Sequence, residues 1–181
     1  MKTLNFSSQS IVRLLVFTFV FLMSCHRQSS EKQEVASSSN YEESLIEANK
    51  KAVKTEEQQI NDFVKRVKWK MLDTGTGLRY NIYETGNGKP AELGKIAELE
   101  YNVSLISGDI VYSSKTTGNK VFTIGKGGVE SGLEEGILLL HEGDHAKFII
   151  PSHLAFGLMG DQNKIPPKTT LVYDVKLIKI K

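Results

Sequence analysis

Between Ala97 and Leu105 hydrophobic and polar positions alternate without a break. Ala97, Leu99, Tyr101, Val103 and Leu105 are separated by Glu98, Glu100, Asn102 and Ser104. A strand turns successive side chains to opposite faces, so this spacing predicts a strand with one face buried and one wet. The same period runs through Leu78, Tyr80 and Ile82 into the turn signal Gly86-Asn87-Gly88-Lys89. It returns at the end of the chain, where Leu171, Tyr173, Val175 and Leu177 alternate with Val172, Asp174, Lys176 and Ile178. Shorter strands are predicted over residues 121–124 and 147–150, the second stopped by Pro151, with a turn at Ser107-Gly108-Asp109.

Two segments follow a helical period instead. Leu133, Ile137 and Leu140 share one face of a short helix. Ser131 is placed to cap it, Glu134 three residues later to complete a capping box, and Gly143 to end it. Residues 41–69 are rich in Glu, Lys, Gln and Ala and contain neither Gly nor Pro. Ile60, Phe63, Val64 and Val67 recur there at helical spacing, which predicts an amphipathic helix best defined from Thr55 to Lys68. Such a helix has two uses: to pack back on its own domain, or to pair with a second copy as a homodimer. Several antiparallel strands and one short helix cannot bury their apolar faces separately. The expected fold class is therefore α+β, a curved antiparallel sheet wrapped around one short helix, preceded by the amphipathic helix and a flexible tether.

Composition changes the picture mainly at the front. The formal net charge is +2, and the first 24 residues hold Lys2 and Arg13 with no acid, so the remainder is formally neutral. No basic stripe with interleaved aromatics appears, which argues against a nucleic-acid partner. The run from Leu14 to Met23 is almost purely apolar. It suits a signal-peptide core and is short of the roughly 20 residues that cross a bilayer. The run ends at Leu22-Met23-Ser24-Cys25, which looks like a bacterial lipobox, and Cys25 is the single cysteine. Lipidation of Cys25 would account for a thiol that export would otherwise leave unpaired. The expected organisation is a lipoprotein signal peptide over 1–24, a polar, Ser-rich tether over 25–40, the helical segment over 41–69 and the main domain over 70–181. Attachment to a bacterial membrane, in the outer membrane facing the periplasm, follows as an expectation; acyl chains hold at about 0.8 kcal/mol per buried methylene.

The most specific stretches are Val129-Glu130-Ser131-Gly132-Leu133-Glu134-Glu135-Gly136, Ile150-Pro151-Ser152, Leu154-Ala155-Phe156-Gly157, Ile165-Pro166-Pro167 and Leu171-Val172-Tyr173-Asp174-Val175. Together and in this order they resemble the FKBP-type peptidyl-prolyl cis-trans isomerases over roughly residues 78 to 181. The lipobox and the linking helix are similar to a narrower group, the gliding-motility-associated FKBP-type lipoproteins of Bacteroidetes-type bacteria. The resemblance implies a pocket for Xaa-Pro bonds of client polypeptides and no cofactor. It implies site residues at Tyr101, Glu130, Leu133, Phe156 and Tyr173, with Val111, Tyr112, Val129 and Ile165 lining the substrate side. The family's hydrogen-bond donor is a backbone N–H just before the helix, which maps to Glu130.

Several positions depart from the family pattern. Leu133 stands where Trp is usual and Phe156 where a Tyr hydroxyl bonds the substrate. Val111-Tyr112 replaces a Phe-Asp pair, so the pocket carboxylate is expected to be missing. Lys120 falls at an aromatic wall position. Loss of one hydroxyl contact removes about 0.5–1.5 kcal/mol net. Weak or strongly sequence-dependent isomerase activity is expected, with a non-catalytic chaperone or scaffold as the rival reading. Other signals are weaker. Gly125-Lys126-Gly127-Gly128 lacks the Ser or Thr of a phosphate loop and reads as a turn into the helix. His141 and His145 have metal-ligand spacing, but Gly143 interrupts the helix between them, so both read as surface residues.

Overall fold

The computed structural model describes residues 31–181, with side chains from residue 41 onward. The expected signal peptide, Cys25 and the first part of the tether lie outside the described residues. The chain divides into two compact units between Ala48 and Asn49. Of the first, the described part is the leading portion of α1 (Glu31–Val67), where Tyr41, Leu45 and Ile46 are exposed. The helix begins ten residues before the segment read as helical, inside the stretch read as tether. The physical reason is the absence of Gly and Pro from Glu31 to Val67, so no residue interrupts backbone hydrogen bonding there. Helix α1 stops where Lys68 turns to a positive φ of 58°.

The second unit holds β1 (Leu72–Asp73), β2 (Arg79–Glu84), β3 (Ile96–Leu105), β4 (Ile110–Ser113), α2 (Ser114–Thr117), β5 (Lys120–Thr123), α3 (Ser131–Ile137), β6 (His145–Ile150) and β7 (Leu171–Ile180). The strands form one antiparallel sheet ordered β1-β2-β6-β7-β3-β4, with β5 also paired to β3. This is the α+β architecture expected from the alternating pattern.

One face of the sheet is apolar throughout and the other is apolar in a patch on β6 and β7, and each apolar surface has its own cover. Toward α3, the side chains of Ala97, Leu99, Tyr101, Val103, Phe148, Tyr173, Val175 and Leu177 join Leu133, Ile137 and Leu140 in the main core. Toward α1, Ile149 of β6 and Val172 of β7 meet Ile60 and Phe63, flanked by Val64, Val67 and Trp69. This explains why apolar residues occupy the polar phase of β6 and β7. It also shows that Ile60 and Phe63 pack on their own domain. The Phe63 and Trp69 rings meet edge to face at 5.5 Å. Glu56 adds a polar clamp, its carboxylate accepting from the Ser152 N–H at 2.7 Å, the Ser152 hydroxyl at 2.9 Å and the Thr170 hydroxyl at 2.6 Å.

Helix α3 differs from its predicted form in two ways. No capping box forms: Glu130 is the N-cap, and Ser131 is already helical and donates from Oγ to the Leu154 carbonyl. Glu134 instead accepts the Gly127 N–H at 3.0 Å, pinning the turn that precedes the helix. In that turn Gly125 and Gly127 hold φ of 79° and 71°, which non-glycine residues avoid. The helix also ends at Ile137, well short of Gly143. Its seven residues include Gly132 and Gly136. Each costs about 1 kcal/mol of helix propensity relative to Ala. Their lack of a side chain lets α3 lie close on the sheet: a Cβ at Gly132 would fall 2.4 Å from Ile150 Cγ2, and one at Gly136 2.9 Å from the Phe148 ring.

Two stability outcomes follow. Gly132→Ala is expected to destabilise the domain by about 1–3 kcal/mol in urea unfolding, because overpacking against Ile150 outweighs the propensity gain of about 1 kcal/mol. Glu56→Ala is expected to cost about 1–3 kcal/mol in the same measurement, because buried Ser152 and Thr170 lose their acceptor. Retained stability in either variant would contradict the packing described.

Candidate functional site

The predicted site residues converge. Tyr101, Val111, Leu133, Ile165 and Tyr173 belong to the main core, with Tyr112, Val129 and Phe156 packed against it. Tyr173 sits mid-sheet, paired with Phe148 on one side and Val103 on the other. Tyr101 lies across on β3, and the two rings are 6.5 Å apart, tilted by 31°. Val111 and Tyr112 are neighbours in sequence, yet both reach this cluster. A bulge in the β3–β4 ladder makes that possible, since Val103 pairs with Tyr112 and Ser104 with Ile110, leaving Val111 as the extra residue.

Above these residues lies an open cleft of about 410 Å³, lined by Lys120, Gly127, Gly128, Val129, Glu130, Ala155 and Phe156. Three expected residues therefore reach solvent in the cleft. Leu133, Ile165 and Tyr173 do not line it: they are 0%, 3% and 1% exposed and lie in the main core, Tyr173 reaching the cleft residue Glu130 through its hydroxyl. A second hollow, of about 470 Å³, lies by α1 and β2 and is lined in part by Glu56, Ile60, Arg79, Pro151 and His153. It is larger but contains none of the expected residues and no aromatic floor.

The cleft differs from an apolar hollow in one respect. The Tyr173 hydroxyl donates to Glu130 Oε1 at 2.7 Å. Lys120 Nζ stands 3.6 Å from Glu130 Oε2 and lies over both aromatic rings, 5.2 Å from the Tyr101 centroid and 5.9 Å from that of Tyr173. The Glu130 side chain is 7% exposed and Lys120 25%. So the pocket carboxylate expected to be missing is present, delivered from Glu130 instead of the position taken by Tyr112. The aromatic wall is replaced by an ammonium lying on aromatic faces. Burial, then the charge of Glu130, then the hydrogen bond to it push the Tyr173 phenol well above its usual range, so Tyr173 remains the donor. Reasoning from sequence used Glu130 only for its main chain. Lys120 across the cleft was the signal for the side-chain role, because a buried carboxylate needs a countercharge.

The Glu130 main chain has a separate place. Among the described residues nothing accepts a hydrogen bond from its N–H, while its carbonyl accepts from Leu133 and Glu134 to start α3. Glu130, which lines the cleft, thus carries a backbone amide with spare donor capacity. Tyr112 packs against the main core outside the cleft's lining. Its hydroxyl donates to Asp161, and that bond, with desolvation, raises the phenol pKa. Asp161 also accepts from the N–H groups of Asn163 and Ile165 at 2.9 and 2.7 Å, which shapes the loop carrying Ile165. The Tyr101 hydroxyl pairs with Thr117 Oγ1 at 2.8 Å and so is turned to α2. His141 lies beside Asp144, and His145 on β6 beside Glu84, so the two histidines have separate partners.

Comparison with known proteins places this geometry. The family model for FKBP-type peptidyl-prolyl cis-trans isomerases matches residues 87–178. A probable FKBP-type isomerase, FkpA, of Neisseria meningitidis serogroup B is 39% identical over 75% of this chain and 50% of its own length. The FkpA of Escherichia coli K12 is 34% identical over 60% of this chain and 39% of its own. The chain therefore spans half or less of the length of these curated relatives. Among solved structures, FkpA from Escherichia coli superposes with a TM-score of 0.63 at 27% identity, covering 98% of this chain and 84% of that one. AtFKBP13 superposes with a TM-score of 0.60 at 28% identity, covering 62% and 100% respectively. With the family match spanning more than half of the sequence, the chain belongs to the FKBP-type peptidyl-prolyl cis-trans isomerase family.

Proposed function

We propose that the cleft between α3, β5 and the Ala155–Phe156 turn rotates Xaa-Pro bonds of exported client proteins. Rotation must pass a barrier of about 18–20 kcal/mol, set by amide resonance, and makes or breaks no covalent bond. The cleft lowers the barrier by binding the twisted bond better than either planar form. A donor directed at the carbonyl in its twisted position does this, and the free Glu130 N–H is the observation that carries the reading. The apolar lining supplied by Val129, Ala155 and Phe156 adds to it, because the planar amide is the more dipolar form and loses more on leaving water.

One observation favours a binding-only role instead. Lys120 covers the Tyr101 and Tyr173 rings and has to move before a prolyl ring reaches them. Exchange spectroscopy on proline peptides separates the readings: catalysis above the spontaneous rate supports the isomerase, and binding without acceleration supports the chaperone. The donor is tested by Glu130→Pro against Glu130→Ala. Glu130 has a φ of −57°, the value proline adopts, so the pair differs chiefly in the N–H. The Pro variant is expected to be about tenfold less active than the Ala variant, as for loss of a hydrogen bond of about 1.5 kcal/mol. Equal activity would remove the donor from the mechanism.

The Cys25 motif supports a lipid anchor as the attachment to a membrane, with the outer membrane facing the periplasm as the site. Among the described residues no helix is long and apolar enough to cross a bilayer. Cys25→Ala is expected to release the protein from the membrane fraction, and retention there would refute the anchor. Gliding or secretion machinery as client rests on the resemblance to motility lipoproteins. Exposed Tyr41, Leu45, Ile46 and Val53 on α1 support self-association through residues 41–69.

A further inference from the structure

We propose that Glu130 makes the cleft selective for prolines flanked by a basic residue, with the substrate cation taking over from Lys120. The inference rests on the prolyl-binding reading above and specifies its substrate class.

The two charges of the cleft are not equivalent. Glu130 is fixed: its side chain is 93% buried by the measure of its 7% exposure, and Oε1 is held by the Tyr173 hydroxyl. Oε2 is buried and accepts no hydrogen bond, its nearest cation being Lys120 Nζ at 3.6 Å. Lys120 is the movable partner. It comes from β5, is more exposed, carries a long flexible stem, and among the described residues is held only by the carboxylate and two ring faces. A prolyl ring settling on Tyr101 and Tyr173 competes with the ammonium for the same faces, so Lys120 swings to solvent. That leaves a buried carboxylate with one oxygen unsatisfied, which is strongly unfavourable. A Lys or Arg next to the proline restores the charge and supplies the missing donor. An acidic neighbour brings a second anion to Glu130 instead. Lys120 does not select for acidic residues, because its charge is already matched and it is the group displaced.

The test uses the 181-residue chain and tetrapeptides of the form Ala-Xaa-Pro-Phe and Ala-Ala-Pro-Xaa, with Xaa as Lys, Leu or Glu. Binding is read by calorimetric titration, and turnover separately by exchange spectroscopy. In at least one series the Lys peptide is expected to bind about tenfold or more tighter than the Glu peptide, with Leu between. Glu130→Gln is expected to abolish that order. Lys120→Met is expected to enlarge it, because Glu130 then has no internal countercharge. Equal binding of Lys and Glu peptides, a preference that survives Glu130→Gln, or a preference lost in Lys120→Met would overturn the proposal, as would the absence of any binding. Charge-selective binding without turnover would uphold it while removing the isomerase reading. Turnover without charge preference would do the reverse.

Discussion

The hydrogen bond from Tyr173 to Glu130 ties the centre of the sheet to the start of the short helix, and the rest of the cleft is arranged around it. Tyr173 sits mid-strand between β6 and β3, so its hydroxyl is fixed by two ladders. Glu130 is fixed by the helix it opens. One bond therefore sets the height of the α3 N-terminus above the aromatic floor. It also determines where a cation has to sit. Lys120 answers that requirement and in doing so covers the floor. The same interaction thus shapes the carboxylate and the lid.

Support for this arrangement comes from both faces of the sheet. Gly132 and Gly136 let α3 approach Ile150 and Phe148 closely, at a cost in helix propensity that close packing offsets. On the opposite face Ile60 and Phe63 of α1 cover Ile149 and Val172, and Glu56 holds together the Ser152 and Thr170 ends of the segment that joins β6 to β7. That segment carries Ala155 and Phe156 into the cleft, so docking of α1 bears indirectly on the site's geometry.

Much of this was legible in the chain itself, and the limits have physical causes. The strict alternation of β3 and β7 announced both strands and their buried phase, because one face of each is uniformly apolar. The face shared by Leu133, Ile137 and Leu140 was legible for the same reason. The second phase of β6 and β7 was not, since Ile149 and Val172 acquire meaning only once α1 lies on them. The predicted capping box failed because Ser131 and Glu134 each found a distant partner, and local spacing cannot see the Leu154 carbonyl or the Gly127 amide. The start of α1 was not legible, because a Ser-rich composition masks the absence of any helix breaker between Glu31 and Val67. The family motif identified the Glu130 position, but its side chain became informative only with Tyr173 and Lys120 beside it.

The central claim is that the free amide of Glu130 meets the prolyl carbonyl in this cleft. Titrating a proline peptide into ¹⁵N-labelled protein tests it most directly. The account predicts that the Glu130 amide proton moves downfield and exchanges more slowly with solvent, together with changes at Val129 and Phe156. An unmoved Glu130 amide, with the perturbations clustered instead around Glu56, Arg79 and His153, would contradict it.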